Sequence, residues 1–157
     1  MSGFRRGVRL GIDVGRARVG VARCDPDGML AVPVETVQRD DGSIGRIAEL
    51  VAEYEPLELV VGLPVNMQGA DTASTTDARE FAAALQDRTG TPVRLVDERL
   101  STVTAHAALR SSGRTQKNSR SIVDQVAAVV LLQQAIDTEK STGNPPGATI
   151  PLDEESR

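Results

Sequence analysis

LGIDVGRARVGVA, residues 10–22, decides the fold. Apolar residues alternate up to Asp13, break at residues 15–18 and resume at Val19, so residues 8–14 and 19–24 read as two strands of a hairpin joined by a short turn. Asp13 ends the first strand, and a carboxylate at a strand end lies at the rim of a sheet, where oxygen ligands can converge on a hard cation such as Mg²⁺. Working outward, Asp25-Pro26-Asp27-Gly28 is a turn before a third strand over 29–37. Ile44, Ile47, Ala48 and Val51 recur at helical spacing behind Asp41-Gly42-Ser43, which predicts a capped amphipathic helix. Residues 57–63 form a buried-type strand, and Ala78, Phe81, Ala82 and Leu85 mark a second helix with Ser74 as its cap. Another strand follows over 92–96.

Ser101 and Thr102 can cap a helix to about Leu109 that Ser112-Gly113 ends, and Val123, Val126, Ala127, Val130 and Leu131 define a last helix capped by Ser119 or Ser121. The switch from hairpin to strand-helix alternation predicts an α/β protein with one five-stranded mixed sheet, an antiparallel meander followed by parallel strands, flanked by helices. The folded domain is expected over residues 1–137. Gly143-Asn144-Pro145-Pro146-Gly147 and the charged end predict a disordered tail over 138–157.

A chain of 157 residues suits one domain with a real core, since a protein of this size buries roughly 68–70% of its unfolded surface. No apolar stretch follows Arg5 and Arg6, and the longest apolar run, 126–132, is too short to span a bilayer, so a cytoplasmic protein without membrane contact is expected. Cys24 is the single cysteine and His106 the single histidine. That excludes an internal disulfide and a zinc cluster, and turns the argument away from Cys-His and Ser-His-Asp nucleophile systems. The net charge of −4 argues weakly against a nucleic-acid partner, but its distribution argues for one. Residues 99–123 carry no acid, against Arg99, Arg110, Arg114, Lys117 and Arg120. Residues 1–24 set Arg5, Arg6, Arg9, Arg16, Arg18 and Arg23 against Asp13 alone. Each stretch reads either as a phosphate-binding surface or as a solvated face.

Two further acids join Asp13. Glu98 ends the fifth strand, and Asp124 borders the apolar face of the last helix beside Ala127 and Leu131. If the first, fourth and fifth strands are parallel neighbours, Asp13, the turn at 62–64 and Glu98 emerge at one sheet edge. Singly, Asp13 reads equally well as a turn cap, Glu98 as a partner of Arg99 or Arg94, and Asp124 as a helix N-terminal acid. Together they are costly without a cation, because like charges at ~4 Å repel by ~4 kcal/mol per pair at an effective dielectric near 20. Two divalent ions would remove that cost and act on a phosphodiester with no histidine base.

The strings LGIDVGRARVGVA, VVGLPVNMQG, VDERLSTVTA and VDQVAAVVLL resemble, in order, four signature segments of the YqgF/RuvX family of RNase H-like nucleases, spanning residues 8–134. The resemblance implies an RNase H-like fold and a nuclease using Mg²⁺ or Mn²⁺ that matures the 5′ end of pre-16S rRNA or resolves Holliday junctions. It puts the catalytic, metal-binding acids at Asp13, Glu98 and Asp124. Asp97, pointing to the opposite face of its strand, would support the site from behind. Arg16, Arg18 and Arg99 become phosphate contacts, and Asn66 and Met67 shape the substrate groove, although Met67 reads equally well as core packing. Arg110, Arg114, Lys117 and Arg120 match the family's basic linker, expected to be mobile and to fold over nucleic acid. The expected partner is pre-rRNA or branched DNA, bound by a monomer or by the homodimer that a resolvase requires.

Two other classes compete. The actin, sugar-kinase and heat-shock ATPase superfamily shares the Asp-x-Gly hairpin but needs two such domains around a nucleotide. A non-catalytic nucleic-acid-binding module would not need all three acids. With only Phe4, Tyr54 and Phe81 as aromatic residues, base stacking has little material, and backbone and shape recognition fits better.

Overall fold

The computed structural model describes residues 4–97 and 116–151, with side chains for all of these except 116–124. Glu98, Arg99, Arg110, Arg114 and the helix expected over 101–109 lie outside the described residues. The elements run β1 (Arg9–Val14), β2 (Arg18–Cys24), β3 (Ala31–Gln38), α1 (Ser43–Tyr54), β4 (Glu58–Leu63), α2 (Ala73–Thr89), β5 (Val93–Asp97), α3 (Gln116–Thr142) and β6 (Ala148–Thr149). They form one sheet in the order β3-β2-β1-β4-β5-β6. The meander β3-β2-β1 is antiparallel, while β1, β4 and β5 run parallel, as the hairpin followed by strand-helix alternation requires.

Strand alternation sorts the side chains onto two faces. Leu10, Ile12, Val14, Val19, Val21, Leu59, Val61, Leu63, Val93 and Leu95 pack beneath Ile47 and Leu50 of α1 and Ala78, Phe81 and Leu85 of α2. The opposite face presents smaller groups, Ala22, Cys24, Ala31 and Val60, against Ala128, Leu131, Leu132, Ala135 and Ile136 of α3. The helix can therefore sit close. A Cβ on Gly11 would lie 2.8 Å from the Ala128 carbonyl oxygen and 2.8 Å from the Leu132 Cβ, so only glycine permits this approach.

Five expectations change. The sheet has six strands, because the stretch expected to be a tail from residue 138 continues α3 to Thr142 and then returns as β6, antiparallel to β5 through Arg94↔Thr149 and Leu95↔Ala148. Pro145-Pro146-Gly147, which reads as disorder by composition, is a turn. Gly147 adopts φ 77°, against the Leu95 carbonyl, and Ile150 closes onto the α1/α2 side of the core. The N-cap of α2 is Thr72, which forms a capping box with Thr75, not Ser74. At α1 no side chain caps Gly42. Instead the Ser43 hydroxyl donates to the Gln38 carbonyl and accepts from the Asp40 amide. Finally, the described part of α3 is already helical at Gln116, ahead of the expected caps Ser119 and Ser121, so Lys117 and Arg120 belong to a helix.

The N-terminal basic stretch is also divided. Arg9 and Glu139 are each 1% exposed and joined at 3.0 Å, while Arg5 bridges Glu139 and Glu58 at 2.8 Å each, and Arg94 reaches Glu58 at 3.3 Å. Arg9 also donates to the carbonyls of Gly7 and Arg5 and lies over the Phe4 ring. Burial alone would push the Glu139 carboxyl up, but hydrogen bonds from Arg5 and the Arg9 charge outweigh it and hold it below the usual carboxylate range. Arg6 pairs with Asp27 and Arg23 stacks on Tyr54. Arg5 and Arg9 thus tie the C-terminal half of α3 to β1 and β4.

Candidate functional site

Asp13 sits half-buried at the C-terminal end of β1, on the α3 face, since Leu10, Ile12 and Val14 occupy the other. One row of the sheet crosses three strands through it: Thr36 pairs with Gly20, and Gly20 with Asp13. On the other side, Gly62 follows Val61, the partner of Ile12, just as Asp13 follows Ile12. Glycines therefore flank Asp13 on both neighbouring strands.

Helix α3 runs antiparallel to β1. Its Glu139 meets Arg9 and its Ala128 and Leu132 meet Gly11, so its N-terminal half runs toward Asp13. Gln125 hydrogen-bonds the Thr36 hydroxyl at 2.8 Å, on the row that holds Asp13. Residue 124 precedes Ala128 by one helical turn, and residues four apart share a helix face. The side chain of Asp124 lies outside the described residues, as does all of Glu98. Among the described residues no three His, Cys, Asp or Glu side chains converge as a metal set.

Asp97 ends β5 opposite Leu63 and is exposed. Val93 and Leu95 belong to the α1/α2 side and Val96 packs with the α3 side, so Asp97 alternates away from the face that carries Asp13. Arg18 opens β2 on the Asp13 face, half-buried, and Arg16 is exposed in the turn with its Nε 3.4 Å from the Ser74 hydroxyl. The loop after β4 is built by Asn66, whose side-chain oxygen accepts from the amides of Gln68 at 3.0 Å and Ala70 at 2.9 Å. That engages the Asn66 oxygen in holding the loop. Met67 at its tip is 86% exposed, which removes the core-packing alternative.

The β1–β2 turn has a partner that sequence reasoning missed. Arg39, just past β3, donates to the Gly15 carbonyl and to both oxygens of Asp77 on α2. Hydrogen bonding from Arg39, and further the charge of Arg16, hold the Asp77 carboxyl below its ordinary range. A lone arginine after a strand carries no local pattern that would reveal this. The paired glycines at 20 and 62, by contrast, stand inside apolar strands and were visible signals of close approach.

The sequence profile of the RuvX family, described as Holliday junction resolvase, matches residues 7–138. Relatives carrying the name "Putative pre-16S rRNA nuclease" include that of Leifsonia xyli subsp. xyli, 57% identical over 149 residues covering 94% of this chain and 96% of the relative. Another, from Clavibacter michiganensis subsp. michiganensis, is 54% identical over 151 residues, 94% of each chain. The structure of T. thermophilus RuvC in complex with Holliday junction substrate aligns with TM-score 0.54 at 18% identity, covering 88% of this chain and 99% of RuvC. The chain belongs to the RuvX family and has the RNase H-like fold. No helix among the described residues is long and apolar enough to cross a membrane.

Proposed function

We propose that this protein is a divalent-metal-dependent nuclease that hydrolyses phosphodiester bonds, with Asp13, Glu98 and Asp124 as its metal-binding acids and the 5′ end of pre-16S rRNA as its substrate. The observation that carries the reading is Asp13 itself, at a strand end between two glycines, under a helix whose register runs toward it. A carboxylate oxygen at the rim of a sheet suits a hard cation. Mg²⁺ or Mn²⁺ bound there would activate water and neutralise charge on the attacking and leaving oxygens, two ions serving the two sides.

The chain's own residues supply the rest. Arg16 and Arg18 flank Asp13 in the hairpin and hold the backbone phosphates of the substrate, with Arg99, Arg110, Arg114, Lys117 and Arg120 extending that contact. Asp97 lies on the other face and leaves the ligand role to Glu98. The loop held by Asn66 presents Met67 to the substrate. Recognition rests on backbone and shape, because the chain has little aromatic surface.

The relatives' names favour pre-16S rRNA, and the family's description favours a four-way DNA junction as the second reading. Cleavage of end-labelled pre-16S rRNA fragments and four-way junctions in Mn²⁺, with oligomeric state measured alongside, separates them. Cuts confined to the rRNA precursor support the first reading, symmetric junction cuts by a dimer support the second, and no metal-dependent cleavage of either removes the nuclease assignment.

A further inference from the structure

We propose that Arg39 is a positioning residue for the site, clamping the β1–β2 turn onto α2 so that Asp13 is held in place; this rests on the reading of Asp13 as a metal-binding acid. One residue grips both ends of the turn. The Arg39 guanidinium donates to the Gly15 carbonyl at 2.9 Å, and its backbone amide donates to the Ala17 carbonyl at 3.0 Å. The same guanidinium binds Asp77 through both oxygens, at 2.9 and 2.7 Å, and lies 4.7 Å over the Phe81 ring. Asp77 is itself well anchored, because the Thr75 hydroxyl two residues earlier donates to the Pro64 carbonyl at the end of β4. A continuous path thus joins the end of β4 to α2, Arg39, Gly15 and Asp13.

The turn cannot set its own orientation. It is closed by the Gly15 amide donating to the Arg18 carbonyl at 2.9 Å, and a Cβ on Gly15 would fall 2.7 Å from that same oxygen, so the turn is tight and leaves room only for glycine there. Beside the long contact of Arg16 with Ser74 at 3.4 Å, the turn is tied to α2 by the planar fork of Arg39, which meets a carbonyl and a carboxylate at once. Lysine has no equivalent geometry. Long arginines at 16 and 18 can follow a phosphate through a small tilt of the turn, whereas the short Asp13 side chain cannot follow a reacting centre. Loss of the clamp should therefore lower the chemical rate and spare affinity.

The test uses Arg39→Lys, Asp77→Asn and the double variant, with Arg46→Lys as a control for losing a surface ion pair remote from the turn. Two readouts are taken: amide hydrogen exchange across residues 14–18, and single-turnover cleavage of an end-labelled pre-16S rRNA fragment in Mn²⁺ together with its Kd. Expected are faster exchange in the turn and a rate lower by roughly tenfold or more in both single variants. The double variant should be no worse, Kd should change less than about threefold, and Arg46→Lys should match the wild type. Unchanged exchange in the turn overturns the inference, as does a rate that falls only in step with Kd or melting temperature. Asp13→Asn is run in parallel. If it is inactive while Arg39→Lys cleaves normally, the clamp alone is refuted; if Asp13→Asn cleaves like the wild type, the site reading fails and the clamp with it.

Discussion

Gly11→Ala tests the packing that brings α3 to the site. The added methyl would stand 2.8 Å from the Ala128 carbonyl oxygen and 2.8 Å from the Leu132 Cβ, while ordinary van der Waals separation begins at 3.4 Å. Neither neighbour can rotate away: one is helix backbone, and the other is the root of a fully buried side chain. The helix must lift from β1 by the difference between those distances, roughly half an ångström, at a cost of about 1–3 kcal/mol for overpacking of this kind. In a domain of this size that lowers Tm by roughly 2–12 °C. Activity should fall further than stability, because the lift moves the N-terminal half of α3 away from Asp13, and a small misplacement at a reacting centre costs up to about 10²-fold. The assay pairs thermal unfolding by circular dichroism with single-turnover cleavage at a temperature where both proteins are folded. A Gly11→Ala protein with wild-type Tm and wild-type rate would refute the close-packing argument. Wild-type rate with lowered Tm would refute only the link from helix to site.

The buried ion network and the basic segment yield two more outcomes. Glu139→Gln leaves Arg9 buried without its carboxylate partner, and removing one member of such a pair costs about 3–5 kcal/mol. Because the folded Glu139 carboxyl sits below the unfolded value of about 4.3, its contribution is present at neutral pH and lost as pH falls through the acid range. Urea titrations from pH 7 to pH 3 should show a shallower acid loss in the variant, and parallel curves would contradict the assigned direction. Replacing Arg110, Arg114 and Lys117 with Ala should flatten the slope of log K against log salt by ~0.7–0.9 for each phosphate that is no longer neutralised; an unchanged slope makes that segment a solvated face.

Much of the frame was legible because it is written in local periods. The hairpin from Arg9 to Cys24 and the parallel placement of β4 and β5 follow from alternation alone. Of the stripe expected on the last helix, by contrast, Ala127 and Leu131 are buried and Val126 and Val130 are half-buried, and the buried face runs instead through Ala128, Leu131, Leu132, Ala135 and Ile136. The opposite facing of Asp97 and Asp13 follows from the same two-residue period. What was missed depends on pairings between distant residues. Arg9 meets Glu139 across 130 positions, and nothing local marks either as buried. Strand β6 was hidden behind Pro145-Pro146-Gly147, whose composition signals a break in regular structure without saying whether the chain leaves or returns to the sheet. Thr72 and Ser74 both suit an N-cap, and only the reciprocal bond of Thr75 decides between them. Arg39 stands alone in sequence, and its importance appears only once Gly15 and Asp77 are brought to it.

The central claim is that three acids carry metal-dependent cleavage while the arginines carry binding. It is tested most directly by measuring single-turnover cleavage and nucleic-acid Kd, in Mn²⁺, for Asp13→Asn, Glu98→Gln, Asp124→Asn and Asp97→Asn. Each substitution keeps shape and removes charge, and ligands that act on charge developing in the transition state should affect rate more than ground-state affinity. The first three should lose cleavage while keeping most of the wild-type affinity, and Asp97→Asn, on the far face, should keep partial activity. An inactive Asp97→Asn beside an active Glu98→Gln would contradict the choice of ligand, and cleavage at the wild-type rate by all four would contradict the nuclease account itself.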